Sequence, residues 1–373
     1  MTQSNQSHQS HQSHQSHQSH QSESYRGESG QQAYDVVVVG GGAAGLSAAL
    51  VLGRSRRRVL VVDAGEPRNA PAAHMQGFLS RDGMPPAELL AEGRREIQRY
   101  GVETVRDRVS AVTPDGRGEF GLSLAGGGTV HARRVVIATG LVDELPDVPG
   151  LAERWGRDVL HCPYCHGYEV RDQAFGVLAS EPFNSHQALL VTQWSKDVTL
   201  FLDKVRELPD AEWERLAAAG VSVVEGEVAG PVVEDDRLTG VRLTDGRVFP
   251  RSVLFVAAKP VPRTGLLDAL GAETKDTPFG PYPALDEMGR TSVPGVWAVG
   301  NAASAMEQVI NAASAGYRAG VVINAELVMA DIDAEAARRR AGVFSPEGEA
   351  AVTRALAGAG AHGLADAASP LPR

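Results

Sequence analysis

The residues best suited to chemistry are two cysteines. Cys162 and Cys165 are the only cysteines of the chain, and both lie in His161-Cys162-Pro163-Tyr164-Cys165-His166-Gly167. One pair excludes a disulfide scaffold, and a chain that spends its whole thiol content on one C-x-x-C is better explained by redox chemistry than by a staple. At the start of a helix, such a pair has its thiolate stabilised by backbone N–H groups and can cycle through a disulfide beside an electron acceptor. His161 and His166 flank it. Imidazoles titrate near neutrality, so either can take a thiol proton and return it, and either can equally be a surface histidine. The competing reading is half of a zinc site. Consecutive His-Cys and Cys-His steps do not readily bring four groups to one tetrahedral ion, and no second C-x-x-C exists, so no metal is expected.

A second constellation is Gly40-x-Gly42-x-x-Gly45, with Ala43 and Ala44 between the last two glycines and Asp63 closing the next apolar run. Glycines there permit a tight turn and let a helix N-terminus approach a pyrophosphate, while the acid accepts hydrogen bonds from ribose hydroxyls. The motif has its strand, helix and acid in place, which favours a dinucleotide site over a structural turn. Two later segments, Val135-Val136-Ile137-Ala138-Thr139-Gly140 and Val296-Trp297-Ala298-Val299-Gly300-Asn301, are apolar runs ending in small or polar tips. Alone, each reads as a buried strand with a loop.

Positioning these groups requires an α/β scaffold. The β-branched run 34–39 suits a strand buried on both faces. The Ala-rich stretch 46–52 suits a helix, and 59–63 a second strand, which together open a parallel, doubly wound sheet. Further strands are expected at 134–138, 175–179, 198–202, 254–257 and 296–299, and helices at 86–100, 186–194, 211–219 and 308–329. The strand-turn-helix-strand pattern that starts at Tyr34 starts again at Phe175, implying two nucleotide-type lobes. Residues 1–32, mostly Gln, Ser and His with His8, His11, His14, His17 and His20 at a spacing of three, have little to bury and read as a disordered tail. Residues 331–373 read as a second, partly disordered tail holding a short helix.

Composition removes several classes. At 373 residues the chain is long enough for two or three domains, and 43% hydrophobic with 22% charged residues is ordinary for a globular protein. No apolar run approaches the ~18 residues of a membrane helix, and the start of the chain has no secretory pattern. A soluble, cytoplasmic protein is expected. A formal net charge of -10 provides no basic field for polyanions, so neither nucleic acid nor membrane is an expected partner.

In their order and spacing, the Gly40–Gly45 loop, Ala138-Thr139-Gly140 and Gly300-Asn301 resemble the FAD fingerprints of the two-dinucleotide-binding-domain flavoproteins. That family has an FAD-binding lobe split around an inserted second Rossmann-like lobe. The resemblance implies FAD as cofactor. It also implies a division into residues 33–150 (FAD lobe, first part), 151–260 (inserted lobe carrying the C-x-x-C), 261–330 (FAD lobe, second part) and the two tails. Asn301 stands where the family usually has Asp. Asn can still accept from a ribityl hydroxyl, but its neutrality makes the pocket less negative. Gln308 and Val309 begin a helix whose N-terminus would face the N1–C2=O edge of the flavin.

Within that family, Cys162-Pro163-Tyr164-Cys165 resembles the pair of the low-molecular-weight thioredoxin reductases, with His166 in place of their usual Asp. The second lobe departs from them. Its first strand leads into Ser180-Glu181-Pro182-Phe183-Asn184-Ser185-His186. That loop has no glycine for close approach, a proline that removes a donor and a glutamate of the wrong sign for phosphates. Leu202-Asp203-Lys204 follows the next strand without an arginine-rich segment. Asp203 suits NADH, but the lost phosphate site points away from any nicotinamide. The whole pattern is similar to the thioredoxin-reductase-like dithiol oxidases that close disulfides in small natural products such as gliotoxin and holomycin. It implies attack of a substrate thiolate on Cys162, with Cys165 the cysteine nearer the flavin. His166, with His161, would move protons, O2 would be the final acceptor giving H2O2, and the protein would be a homodimer. Two other readings stay open: an NAD(P)H- or ferredoxin-dependent disulfide reductase, which NADPH would bleach, and a non-catalytic flavin redox sensor, which would turn over no dithiol.

Overall fold

The computed structural model describes residues 33–179, 185–343 and 346–359. The expected N-terminal tail, 1–32, therefore lies outside the described residues, as do residues 344–345 and 360–373 of the expected C-terminal tail and most of the degenerate loop, at 180–184. The chain enters through β1 (Ala33–Val39), α1 (Ala43–Arg54), β2 (Val59–Val62), α2 (Pro86–Gln98) and β3 (Glu103–Val105). An antiparallel excursion follows through β4 (Val109–Pro114), β5 (Phe120–Leu124) and β6 (Thr129–Ile137), and β6 returns to pair in parallel with β1. The sheet order is β3-β2-β1-β6-β5-β4. Val36 and Val38 face α1 and α2, while Val37 and Val39 face the β4–β5 side. Both faces of β1 are thus covered, which is why its sequence is a continuous apolar run. Burying each valine contributes roughly 1.5–3 kcal/mol.

Through β7 (Leu141–Glu144) and the short α3 (Leu151–Arg154) the chain passes into a second lobe. Its elements are β8 (Val159–Leu160), α4 (Pro163–His166), β9 (Phe175–Leu178), α5 (His186–Val191), β10 (Val198–Phe201), α6 (Asp210–Ala218) and β11 (Ser222–Val224). A three-stranded sheet, β12 (Val228–Glu234), β13 (Arg237–Leu243) and β14 (Val248–Pro250), precedes β15 (Val253–Val256). The parallel sheet runs β11-β10-β9-β15-β8. Phe175 and Val177 pack toward α5 and α6, whereas Leu178, Leu254 and Val256 pack on the three-stranded sheet. The C-x-x-C lies just beyond the carboxyl end of β8.

β16 (Lys259–Pro262) leaves the second lobe antiparallel to β7, so a two-stranded ribbon carries both crossings between lobes. After α7 (Gly265–Ala269), β17 (Thr274–Thr277) and β18 (Gly280–Pro283), β19 (Val296–Ala298) adds to the first sheet beside β6. It is followed by α8 (Val309–Val343) and α9 (Pro346–Ala359). Gly316 and Gly320 let α8 lie directly on Ala44 and Ala48 of α1. α8 corrects the expected boundary, because it continues well past residue 330, where a partly disordered tail was expected. Arg57 and Arg133 both bond Asp331, each at 2.7 Å or closer, which ties the first turn past that boundary to the first lobe. Glu335 pairs with Arg338 and Arg339 one turn on. The 186–194 helix is shorter than expected, α5 ending at Val191.

Candidate active site

The candidate catalytic and cofactor residues named from the sequence, Gly45 apart, line one cavity of about 1820 Å³. It runs from the glycine loop to the cysteines. Typical small-ligand sites span roughly 300–1,000 Å³, so this cavity has room for a dinucleotide and a further ligand.

The glycine loop joins β1 to α1. Gly40 has φ +110°, and a Cβ there would strike the Ala138 carbonyl, so only glycine makes the turn. Gly42 precedes the first turn of α1, with no side-chain cap, and a Cβ added there would meet nothing within 4 Å. The free N–H groups of the first turn thus face open cavity across Gly42, as pyrophosphate binding requires. Ala43 and Ala44 line the same wall. Gly45 sits beneath, buried against the Gly40 carbonyl. These observations fit FAD.

Asp63 follows β2. Its Oδ1 accepts the Gly65 N–H at 3.3 Å, and its Oδ2 is 3.1 Å from Arg94 on α2. Sequence reasoning did not single out Arg94, nor Gly41, where a Cβ would sit 2.7 Å from the Asp63 carboxylate. Ala138, Thr139 and Gly140 line the cavity after β6, but the Thr139 hydroxyl donates to the Arg263 carbonyl at 2.7 Å, and Arg263 N–H donates to Gly140 O at 2.9 Å. This segment therefore also anchors the chain returning from the second lobe.

Asn301 does something a carboxylate cannot. Its Nδ2 donates to the carbonyls of Ser304, Ala305 and Glu307 at 3.1, 3.4 and 3.2 Å. Aspartate there would set an anion against three carbonyl oxygens. Oδ1 faces Arg68 at 3.4 Å, and Arg68 holds Asp143 of β7 through two bonds of 2.7 Å. Gly300 places this loop against Ala44. The loop leads to Gln308, whose carbonyl accepts the Ala312 N–H at 2.9 Å and so starts α8, and to Val309.

Cys162 and Cys165 are joined in a disulfide with Cα atoms 5.3 Å apart. Cys162 caps α4 and Pro163 occupies its first turn, where a missing N–H costs nothing. Tyr164 projects outward, 70% exposed, with its ring edge-on to Trp194. The Gln308 side chain, on the other lobe, reaches both sulfurs. Nε2 is 3.7 Å from Cys162 Sγ and Oε1 is 3.3 Å from Cys165 Sγ. Sequence reasoning placed Gln308 against the flavin, and only the fold shows its side chain on the cysteines.

The histidines differ in their surroundings. His161 Nδ1 is 3.0 Å from the Val256 carbonyl, which can only accept, so the neutral ring carries its proton there and Nε2 is the basic nitrogen. The Ala258 N–H, 3.4 Å from the same Nδ1, is the weaker contact. Gln187 of α5 donates to the His161 carbonyl at 2.6 Å, which fixes the cysteine segment to the second lobe. Burial holds the His166 imidazole below its ordinary range, with the Glu169 carboxylate pulling the other way. Asp203 has one oxygen engaged by the Val228 N–H at 2.8 Å. Among the described residues no group of three or more His, Cys, Asp or Glu is placed to hold a metal, and no helix is long and apolar enough to cross a membrane.

Two dinucleotide-type lobes, one with a glycine cradle for pyrophosphate, and a disulfide on the wall they share define a flavoprotein disulfide oxidoreductase. Residues 34–316 match the pyridine nucleotide-disulphide oxidoreductase family, and the chain belongs to it. It is 33% identical over 314 residues to thioredoxin reductase tcpT of Claviceps purpurea, covering 81% of this chain and 96% of that protein. To thioredoxin reductase sirT of Leptosphaeria maculans it is 32% identical, with the same coverage. The crystal structure of HlmI superposes with a TM-score of 0.78 at 52% identity, over 83% of this chain and 96% of that one. The protein is an FAD-binding oxidoreductase of thioredoxin-reductase type with a redox-active disulfide. FAD supplies, when bound, a two-electron acceptor and donor beside that disulfide.

Proposed function

We propose that the protein oxidises a small-molecule dithiol to its disulfide, with O2 as final acceptor giving H2O2. The observation that carries this reading is the Cys162–Cys165 disulfide opening onto the cofactor cavity, with His161 and His166 beside it. A substrate thiolate attacks Cys162 Sγ and the second substrate thiol closes the product disulfide. His166, kept neutral by burial, takes the thiol proton, and His161 Nε2 is the second base. Gly40, Gly42, Ala43, Ala44, Asp63, Gly300 and Asn301 hold FAD, and the first-turn N–H groups of α8 at Val309 face it. The sequence of the 180–186 loop supports a second lobe that has kept its fold and lost its nicotinamide. The names of the relatives favour the alternative of a disulfide reductase fed by NAD(P)H. Anaerobic titration of the holoprotein decides between them. Dithiothreitol should bleach the flavin and air restore it with about one peroxide per disulfide, since each is a two-electron step. Rapid, saturable bleaching by NADPH would overturn the oxidase reading.

A cytoplasmic homodimer fits this reading. Ile310, Tyr317, Val321, Val328 and Ile332 are exposed along one face of α8, a stripe that a second copy would cover.

The role of His166 has its own signature. Because burial lowers its pKa, it stays an unprotonated base below the usual ~6.5 of imidazole, and the acid limb of flavin reduction should lie below that value. His166→Ala should slow flavin reduction by dithiol at pH 7 by about a hundredfold. The loss should shrink as substrate thiols ionise near ~8.5. Stopped-flow bleaching against pH measures this, and an equal loss at every pH would remove His166 from proton transfer.

A further inference from the structure

We propose that Glu307 is the redox-linked acid of the cofactor cavity, a carboxyl that takes up one proton as two electrons enter the cofactor and gives it back as they leave. Glu307 lines the cavity between Asn301, which donates to its carbonyl at 3.2 Å, and Gln308, which reaches the disulfide. Its Oε2 is buried and has no hydrogen-bond partner, so Oε1 is left as the oxygen that can meet a ligand. A carboxylate this close to the start of a helix ordinarily collects first-turn N–H groups, yet among the described residues none donates to Oε2. Enclosing a charge there without donors is costly, which favours the neutral acid. Burial accordingly pushes this carboxyl above its ordinary range, with Arg318 of α8 pulling the other way. On the other walls of the cavity Arg68 is held by Asp143, and His161 and His166 stand beside the cysteines.

The neutral state matters because of charge. Two electrons that reach the cofactor with one proton leave it one unit more negative, and Asn301 offers no countercharge. An ionised Glu307 in the same cavity adds like charge and opposes reduction. Reduction therefore raises the proton affinity of Glu307, and by reciprocity a proton on Glu307 favours reduction. When a dithiol is oxidised, its two S–H bonds break, one S–S bond forms, and two electrons and two protons are released. Both electrons and one proton go to the cofactor, and the second proton goes to Glu307. When an acceptor takes the electrons back, a disulfide becoming two thiols or O2 becoming H2O2, both protons leave with them. The inference concerns the cofactor cavity, holds for either direction of electron flow, and does not rest on the oxidase reading.

The test is a reduction-potential titration of the flavin in the holoprotein, read by its absorbance against a reference dye across the pH range in which the fold persists. Glu307→Gln keeps the size of the neutral acid and is uncharged at every pH. The two curves should coincide at the acid end, where Glu307 is protonated whether or not the cofactor is reduced. Above the pKa of Glu307 the wild type should become harder to reduce than the variant, by about tenfold in the reduction equilibrium, or about 30 mV for a two-electron couple. His161 and His166 titrate in both proteins and cancel in the comparison. Where the curves diverge, the reduced-minus-oxidised infrared spectrum of the wild type should gain the C=O band of a protonated carboxyl, and the variant should lack it. Curves that coincide at every pH, or that differ by the constant offset of a packing effect, would overturn the inference, as would a wild-type infrared difference without that band. The infrared readout on the unaltered protein keeps the test decisive if the variant loses FAD.

Discussion

Cys162→Ser is expected to abolish dithiol turnover, with a loss of about three orders of magnitude or more, the scale on which removing a nucleophile acts. Cys165→Ser should be as inactive in steady state and differ in what it accumulates. With Cys165 absent, Cys162 is still able to join a substrate through a mixed disulfide, but the pair no longer stores two electrons, so the flavin stays oxidised. With Cys162 absent, Cys165 remains in α4, facing Gln308 at the start of α8, as a lone thiolate able to perturb the flavin spectrum. Intact-mass spectrometry of each variant with a small disulfide, together with its visible spectrum, separates the two. Adduct formation on Cys165 combined with a spectral change from Cys162 would reverse the assignment of roles.

Gly42→Val should give a folded but colourless protein. Gly42 has φ −77° and ψ −175°, extended backbone that valine adopts freely, and a Cβ there meets no protein atom within 4 Å. The added isopropyl group therefore costs the apoprotein little and occupies space the pyrophosphate needs. The ratio of absorbance at 450 nm to that at 280 nm should fall to baseline. Thermal stability should match that of the stripped wild type and lack the increment that a tight ligand supplies, about 2.7 kcal/mol at a hundred times its Kd. A yellow variant with full occupancy would show that the cradle lies elsewhere.

Much of the scaffold was legible because its signals are local. The valines of β1 alternate between two covered faces, so their run reads directly as a central strand. The glycine loop and the C-x-x-C each carry their chemistry within a few residues. What was not legible depends on partners distant in sequence. Nothing near Arg94 announces Asp63, and nothing near Arg68 announces both Asp143 and Asn301. The far half of α8 looked like an Ala- and Arg-rich tail because Asp331 is recruited by Arg57 and Arg133, 274 and 198 residues earlier in the chain. Gln308 was placed by the position of its helix, but the direction of its side chain follows from how the two lobes meet.

The pairing of β19 with β6, Val296 against Val135 and Ala298 against Ile137, sets an order of events during synthesis. As the chain leaves the ribosome, the glycine cradle emerges early while β6 still lacks its last neighbour and α1 lacks the helix that covers it. The second lobe is complete in the interval and is free to fold as a unit. Until β19 and α8 arrive, the nascent first lobe presents an open sheet edge and an uncovered apolar face, a template for association with other chains. A growing polypeptide thus meets its flavin last, and fragments ending before residue 296 should emerge colourless and prone to aggregate.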